Sequence, residues 1–259
     1  MTHNRQQGLS LIELLVALVI GAFLSVAVAQ LLIGNKLSYL FQRAQADSQS
    51  NANFALQWLD RQLGKSGFKR RPDQPLNAAF PALSEAQSGV AGCTFEAGQV
   101  IRPLLNKALC IRYQPSDRLE LDCLGNGRPA NTASLARPYA EPAQAYVEKL
   151  SVNANQQLMC TSKDGTATLV EGIADLRFDF GVGSPDSLTL TRYTTAPAPN
   201  EHIRSVRFAA LVSTALPALA SGTTSRAWRY WYGTTPQPIA GERMYQVVKG
   251  TTALRNLLP

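Results

Sequence analysis

An uninterrupted apolar segment near the start constrains everything that follows it. From Leu14 to Asn35 no side chain ionises, and ~20 such residues suffice to cross a bilayer as a helix. A short polar head carrying Arg5 ends at Gly8, and the apolar run begins at once, broken by a single acid, Glu13. An acid inside such a segment is costly and tends to have a function. A secretory signal peptide places its small-residue cleavage site after the apolar run. Here the small residue precedes the run, the run is too long, and no Ala-x-Ala site closes it. A plain membrane anchor explains the length but leaves Glu13 either without a reason or snorkelling to the head groups.

The chain then shifts composition sharply. All fifteen prolines lie from Pro72 onward. Beyond the anchor, Leu37, Leu40, Phe41, Ala44, Phe54, Ala55, Trp58, Leu59 and Leu63 recur with helical period among polar residues. The spacing predicts an amphipathic helix, 36–64, continuing a membrane helix, 9–35. One rod of about 55 residues would be roughly 80 Å long. Gly64, Gly67 and Pro72 end it. Residues 65–259 read as one domain of short strands joined by long loops, with 65–105 largely irregular and held by Cys93. Strands are expected at Leu109–Tyr113 and Leu119–Cys123, forming a hairpin, and then at 145–153, 157–161 and 166–170. Further strands are expected at Leu176–Phe180, Ser205–Ser213 and Met244–Leu254. Glu171–Asp175 reads as a short helical turn, and 214–240 as a long loop with one short strand. The fold class is α+β, with the second half of the long N-terminal helix packed on an antiparallel sheet.

Four cysteines, Cys93, Cys110, Cys123 and Cys160, lack the spacing of a zinc or redox pair. An even number in an exported chain suggests disulfides, and three connectivities remain open. In the expected hairpin, Cys110 and Cys123 point to opposite sides. The formal charge is +7. Its one dense cluster, Lys69-Arg70-Arg71 beside Pro72, reads as a solvated loop, and no nucleic-acid partner is expected. Arg5 before the span agrees with a cytoplasmic head, although Lys36 and Arg43 beyond it weaken a simple positive-inside argument.

Catalysis finds no candidate. With His3 in the polar head, His202 alone cannot build a multi-histidine metal site. It has no accompanying Gly-x-Ser-x-Gly nucleophile motif. No Gly-rich phosphate loop follows a strand, and Asp117, Asp122, Asp164 and Asp175 are too scattered for a calcium loop. Neither a cofactor nor a metal is expected. The aromatic cluster Trp228 to Tyr232 reads either as a partner-binding surface or as a core strand with its lid.

Taken together, Gly8 and the following Leu9-Ser10-Leu11-Ile12-Glu13-Leu14-Leu15-Val16-Ala17 resemble the class III leader of type IV pilins and type II secretion pseudopilins. The family usually has Phe where this chain has Leu9. The resemblance implies that a prepilin peptidase removes residues 1–8, cutting after Gly8, and that the new amino terminus of Leu9 is methylated. It also implies an inner-membrane, single-pass subunit with its C-terminal domain in the periplasm. A lone carboxylate in low dielectric goes neutral. The cationic amine of a neighbouring subunit would keep Glu13 ionised and set the axial register between helices.

Within the strands, Asp122-Cys123-Leu124-Gly125, Leu158-Met159-Cys160, Leu169 to Leu176 and Thr252-Ala253-Leu254-Arg255-Asn256 are similar to the PilW family of minor pilins. That resemblance implies a Cys123–Cys160 bond, with Cys93–Cys110 as the second. The implied role is structural and non-catalytic: priming type IV pilus assembly and sitting near the pilus tip. The implied partners are other minor pilins, the major pilin, the inner-membrane assembly platform and a large tip adhesin. A GspJ-like minor pseudopilin of type II secretion is the alternative with the same leader and fold. A membrane-anchored periplasmic enzyme or binding protein is the alternative from another class.

Overall fold

The computed structural model describes residues 10–104, 108–142, 144–184, 189–198, 201–214, 226–233 and 243–257. The chain divides into two compact units, residues 1–46 and 47–259. The first unit is the beginning of helix α1, which runs Leu11–Lys65. No proline interrupts it, and Ala, Leu and Gln dominate it. Ser10 precedes the helix, and its backbone N–H donates to Glu13 Oε2 at 3.0 Å. That is the carboxylate half of a capping box. Residues 10–39 are exposed along their whole length. The hydroxyl of Ser25 donates to the Gly21 carbonyl at 2.8 Å, so it adds no unsatisfied group to the apolar surface.

In the second unit α1 buries Ala52, Ala55, Leu59 and Leu63, one stripe at helical spacing. The helix ends where Gly67 takes a φ of 73°, and a side chain there would strike Leu257. Short helices α2 (Leu76–Ala79) and α3 (Glu85–Ser88) follow within the stretch expected to be irregular. Ser84 and Gln87 form a full capping box at the start of α3.

Two antiparallel sheets form in place of the single sheet expected. The first has strand order β1-β2-β3-β4-β5, from β1 (Ile101–Pro103), β2 (Leu109–Tyr113), β3 (Tyr146–Val152), β4 (Gln157–Ser162) and β5 (Gly165–Glu171). A short helix, α4 (Pro129–Ser134), lies between β2 and β3. The second sheet has order β7-β6-β8-β9, from β6 (Ile173–Gly183), β7 (Arg192–Thr194), β8 (His202–Ser213) and β9 (Tyr245–Ala253). Helix α5 (Arg226–Tyr232) precedes β9, and a 3-10 turn, Arg255–Leu257, follows it. The stripe of α1 and the inner faces of both sheets share one core, containing Leu109, Ile111 and Leu150 from the first sheet and Leu176, Phe178, Val206 and Phe208 from the second.

Three local expectations are overturned. Residues 119–123 are not a strand, and β2 pairs instead with β1 and β3. Asp117 and Asp122 bind the backbone on either side of that segment and turn it locally. Asp117 Oδ1 accepts from Leu119 N at 2.7 Å, and Asp122 Oδ1 accepts from Leu124 N and Asn126 N at 2.9 and 2.8 Å. Glu171–Asp175 is no helical turn but the corner where the chain leaves one sheet for the other. Gly172 turns it at a φ of 79°, and its carbonyl accepts from Ser213 N at 2.7 Å. The aromatic segment at 228–232 is helical rather than extended; most of the remainder of 214–240 lies outside the described residues.

Candidate functional site

The candidate site for assembly is the first turn of α1. Gly8 and Leu9, the expected processing positions, lie outside the described residues. Glu13 sits in the first turn of the helix, where its Oε2 accepts from the Ser10 N–H. Sequence reasoning gave Glu13 a partner outside the chain; the structure adds a local bond that fixes where the helix starts. The exposed apolar side chains from Leu11 to Ile33 form a surface far larger than a soluble monomer carries uncovered. The helix is long and apolar enough to cross a membrane.

Two disulfides brace the sheet unit. Cys93 is bonded to Cys110, and Cys123 to Cys160. The first ties the 80–99 segment over the far face of β2, where Val90, Cys93, Phe95, Cys110 and Val147 form a second small core. Arg112 lies under the same cover. It is 2% exposed and donates to the carbonyls of Gln99, Pro81, Phe80 and Glu96 at 2.5 to 3.1 Å. Its guanidinium also lies over the rings of Phe80 and Phe95. Burial brings its pKa down to about 10, still high enough to keep the charge.

The second disulfide borders a buried carboxylate. Glu148 accepts from Tyr113 Oη at 2.8 Å and Cys123 N at 2.9 Å, and from Gln62 Nε2 on α1. Burial raises its pKa, against the pull of those donors. Burial likewise raises that of Tyr113, with the Glu148 charge adding to it. Beside this cluster, Arg128 and Asp122 form a buried ion pair at 3.2 Å, and Arg128 lies 4.8 Å over the Tyr146 ring. Cys123, Glu148 and Cys160 place their ligand-type atoms within 4.8 Å of one another. Both sulfurs are committed to the disulfide, so no thiolate is available there to hold a metal.

Neither Glu148 nor Arg112 was singled out from the sequence, yet both left a signal. Strand alternation puts Glu148 on the same face as Tyr146 and Leu150, and Arg112 on the same face as Cys110. His202 is exposed at the start of β8. In the aromatic cluster Trp231 is buried, with its Nε1 donating to Asp175 Oδ2 at 2.6 Å, while Tyr230 is 69% exposed.

Comparison with known proteins gives two family matches. The family described as Type IV Pilus-assembly protein W matches residues 145–256, and the Prokaryotic N-terminal methylation motif matches residues 3–29. No curated protein matches the chain. A solved type IV-like pilin from Thermus thermophilus is similar to it at 12% identity, covering 83% of this chain and 98% of that one with a TM-score of 0.41. The methylation motif reaches into α1 as far as residue 29, and the assembly-protein match begins just before β3 and runs through β3–β5 and the second sheet to Asn256. Over those residues the chain is similar to the PilW family of type IV pilus-assembly proteins and carries a prepilin-type methylation motif.

Proposed function

We propose that this chain is a minor pilin that takes part in type IV pilus assembly as a structural subunit. The observation that carries the reading is the joint occurrence, in one chain, of the methylation motif over residues 3–29 and the PilW match over residues 145–256. In this reading α1 anchors the subunit in the inner membrane with the sheet unit in the periplasm. A prepilin peptidase cuts after Gly8, and the amine of Leu9 is methylated. The exposed face of α1 then exchanges lipid for the helices of neighbouring subunits, other minor pilins and the major pilin. The subunit works with the inner-membrane assembly platform in the priming complex and ends near the pilus tip beside a large adhesin.

Glu13 has two separable duties under this proposal. Its bond to Ser10 N fixes the helix start, and that bond survives cleavage after Gly8. Its charge meets the amine of the adjacent subunit. Glutamine serves at this position of a capping box as well as glutamate, so Glu13→Gln keeps the first duty and removes the second. Mass spectrometry of the mature protein is expected to show a chain beginning at a methylated Leu9. The Glu13→Gln protein is expected to be processed and membrane-bound, with piliation reduced at least about tenfold. A mature chain that retains Met1 to Gly8, or full piliation with Glu13→Gln, overturns the reading.

A further inference from the structure

The outer face of the second sheet carries a groove that the assembly role does not use. Strand register lines up its floor. Arg177 on β6 stands opposite Ala209 on β8, which stands opposite Lys249 on β9. One row along, Asp179 stands opposite Arg207. Ala209 has no side chain beyond its Cβ, so a depression opens between two long cations. Helix α5 walls it with Tyr230 and Trp231, and Leu104 and Ala108 supply apolar lining. The resulting volume is about 840 Å³, the size of a ligand site.

The groove is cationic, and its cations are held in place. Arg177 lies 4.4 Å over the Trp231 ring, and Arg207 4.2 Å over Tyr193. Lys249 lies 5.2 Å over Tyr230, with its Nζ 3.2 Å from the Tyr230 hydroxyl. Stacking on rings orients a cation without neutralising it. Against these three stands Asp179, 3.3 Å from Arg207 with both side chains exposed by 40% or more, a pairing that solvent weakens. Asp175, 3.9 Å from Arg177, is buried and accepts from Trp231 Nε1. A sugar would need open ring faces to stack on. Trp231 is 5% exposed with Arg177 over it, so its ring offers no such face. The arrangement suits carboxylates that meet the cations, with a small apolar side chain between them over Ala209.

We propose that this groove binds an acidic peptide segment of a partner protein, its carboxylates meeting Arg177, Arg207 and Lys249. The test uses the full chain in detergent micelles, so its outcome does not depend on leader processing or on piliation. The probe is an array of hexapeptides carrying zero to three Asp or Glu residues among Leu and Ser, with hexagalacturonate and phosphatidylglycerol vesicles as separate arms. Retention is expected to rise with acid content. It is expected to fall at least about tenfold both in Lys249→Glu and in Ala209→Phe, which fills the floor without changing charge. Circular dichroism is expected to show both variants folded. Retention that ignores acid content, that persists in both folded variants, or that is found with the galacturonate or the vesicles but not the peptides, overturns the proposal.

Discussion

Glu148 is the residue at which burial and ionisation are most directly opposed. Its carboxylate is 0% exposed, and burial raises its pKa above the ordinary 4.5. The sign follows from linkage. An acid whose pKa is higher folded than unfolded contributes stability at low pH, and loses that contribution as pH rises through the folded value. The wild-type chain is therefore expected to lose stability relative to Glu148→Gln above about pH 4.5, by at most about 1.4 kcal/mol per pH unit. Glutamine keeps an oxygen for Tyr113 Oη and Cys123 N, and the Gln62 amide turns to face its NH₂. Thermal unfolding of the two proteins from about pH 4.5 to about pH 8 checks this; a melting-temperature difference that stays constant with pH would contradict it. Such residues were only half legible in the sequence. Alternation within Tyr146 to Leu150 places Glu148 on a core face, but nothing local announces that Gln62, far away in the chain, will be its partner. Arg112 is hidden in the same way, because its four carbonyl partners come from loops whose path depends on the Cys93–Cys110 bond.

At the scale of elements, the last strand clasps the long helix. Gln246 Nε2 at the start of β9 donates to Ser48 O and Oγ at 3.2 Å, and Thr252 Oγ1 near its end donates to Asp60 Oδ1 at 2.5 Å. In the turn beyond, Asn256 Nδ2 donates to Gly64 O and Ser66 O at 3.0 and 3.2 Å. The last carbonyls of a helix have no partner within it, and here a side chain from the far end of the sequence supplies one. Asn256→Ala is expected to cost about 1–2 kcal/mol and to speed hydrogen exchange at residues 66–68. Asn256→Asp, which can only accept, is expected to cost at least as much, so a fully stable Asp variant would rule out the donor role. The helix and its stop at Gly64 and Gly67 were plain from period and glycine. The strands at 145–153, 157–161, 166–170, 176–180 and 205–213 were legible from the residues, while the three-residue β1 and β7 were not. The split into two sheets was not, because Gly172 reads as a generic breaker and its φ is set by the Ser213 contact across the corner. Residues 119–123 misled because Leu119, Leu121 and Cys123 alternate like a strand, while Asp117 and Asp122 direct their oxygens to the local backbone. The short helix α5 was hidden because Trp228 to Tyr232 are rich in aromatic residues that favour strands.

For the whole molecule, the division of labour along α1 makes a separable prediction. The buried cores of the second unit draw their helical residues from Ala52 onward, and every other member lies later in the chain. Residues 1–46 form a unit of their own, and its large apolar side chains from Leu11 to Ile33 are exposed. Removing them takes away the surface that needs lipid or partner helices and leaves both disulfides and both sheets complete. A fragment comprising Asp47 to Pro259, made in an oxidising compartment, is expected to be soluble and to unfold in one cooperative step. A second fragment starting at Gly64 lacks Leu59 and Leu63, each fully buried. It also lacks Gln62, the helix-side donor to Glu148. Truncating one buried leucine costs about 2–5 kcal/mol, and a typical domain has only about 5–15 kcal/mol in all. The shorter fragment is therefore expected to aggregate or to show no cooperative melt, even with its disulfides formed. Sedimentation and thermal circular dichroism on the two fragments decide the matter. An insoluble first fragment would mean that the residues before Asp47 are needed for folding of the sheet unit. A second fragment as stable as the first would mean that the sheets need no helix to cover them, and would remove the packing reason for α1 to continue through Leu59 and Leu63.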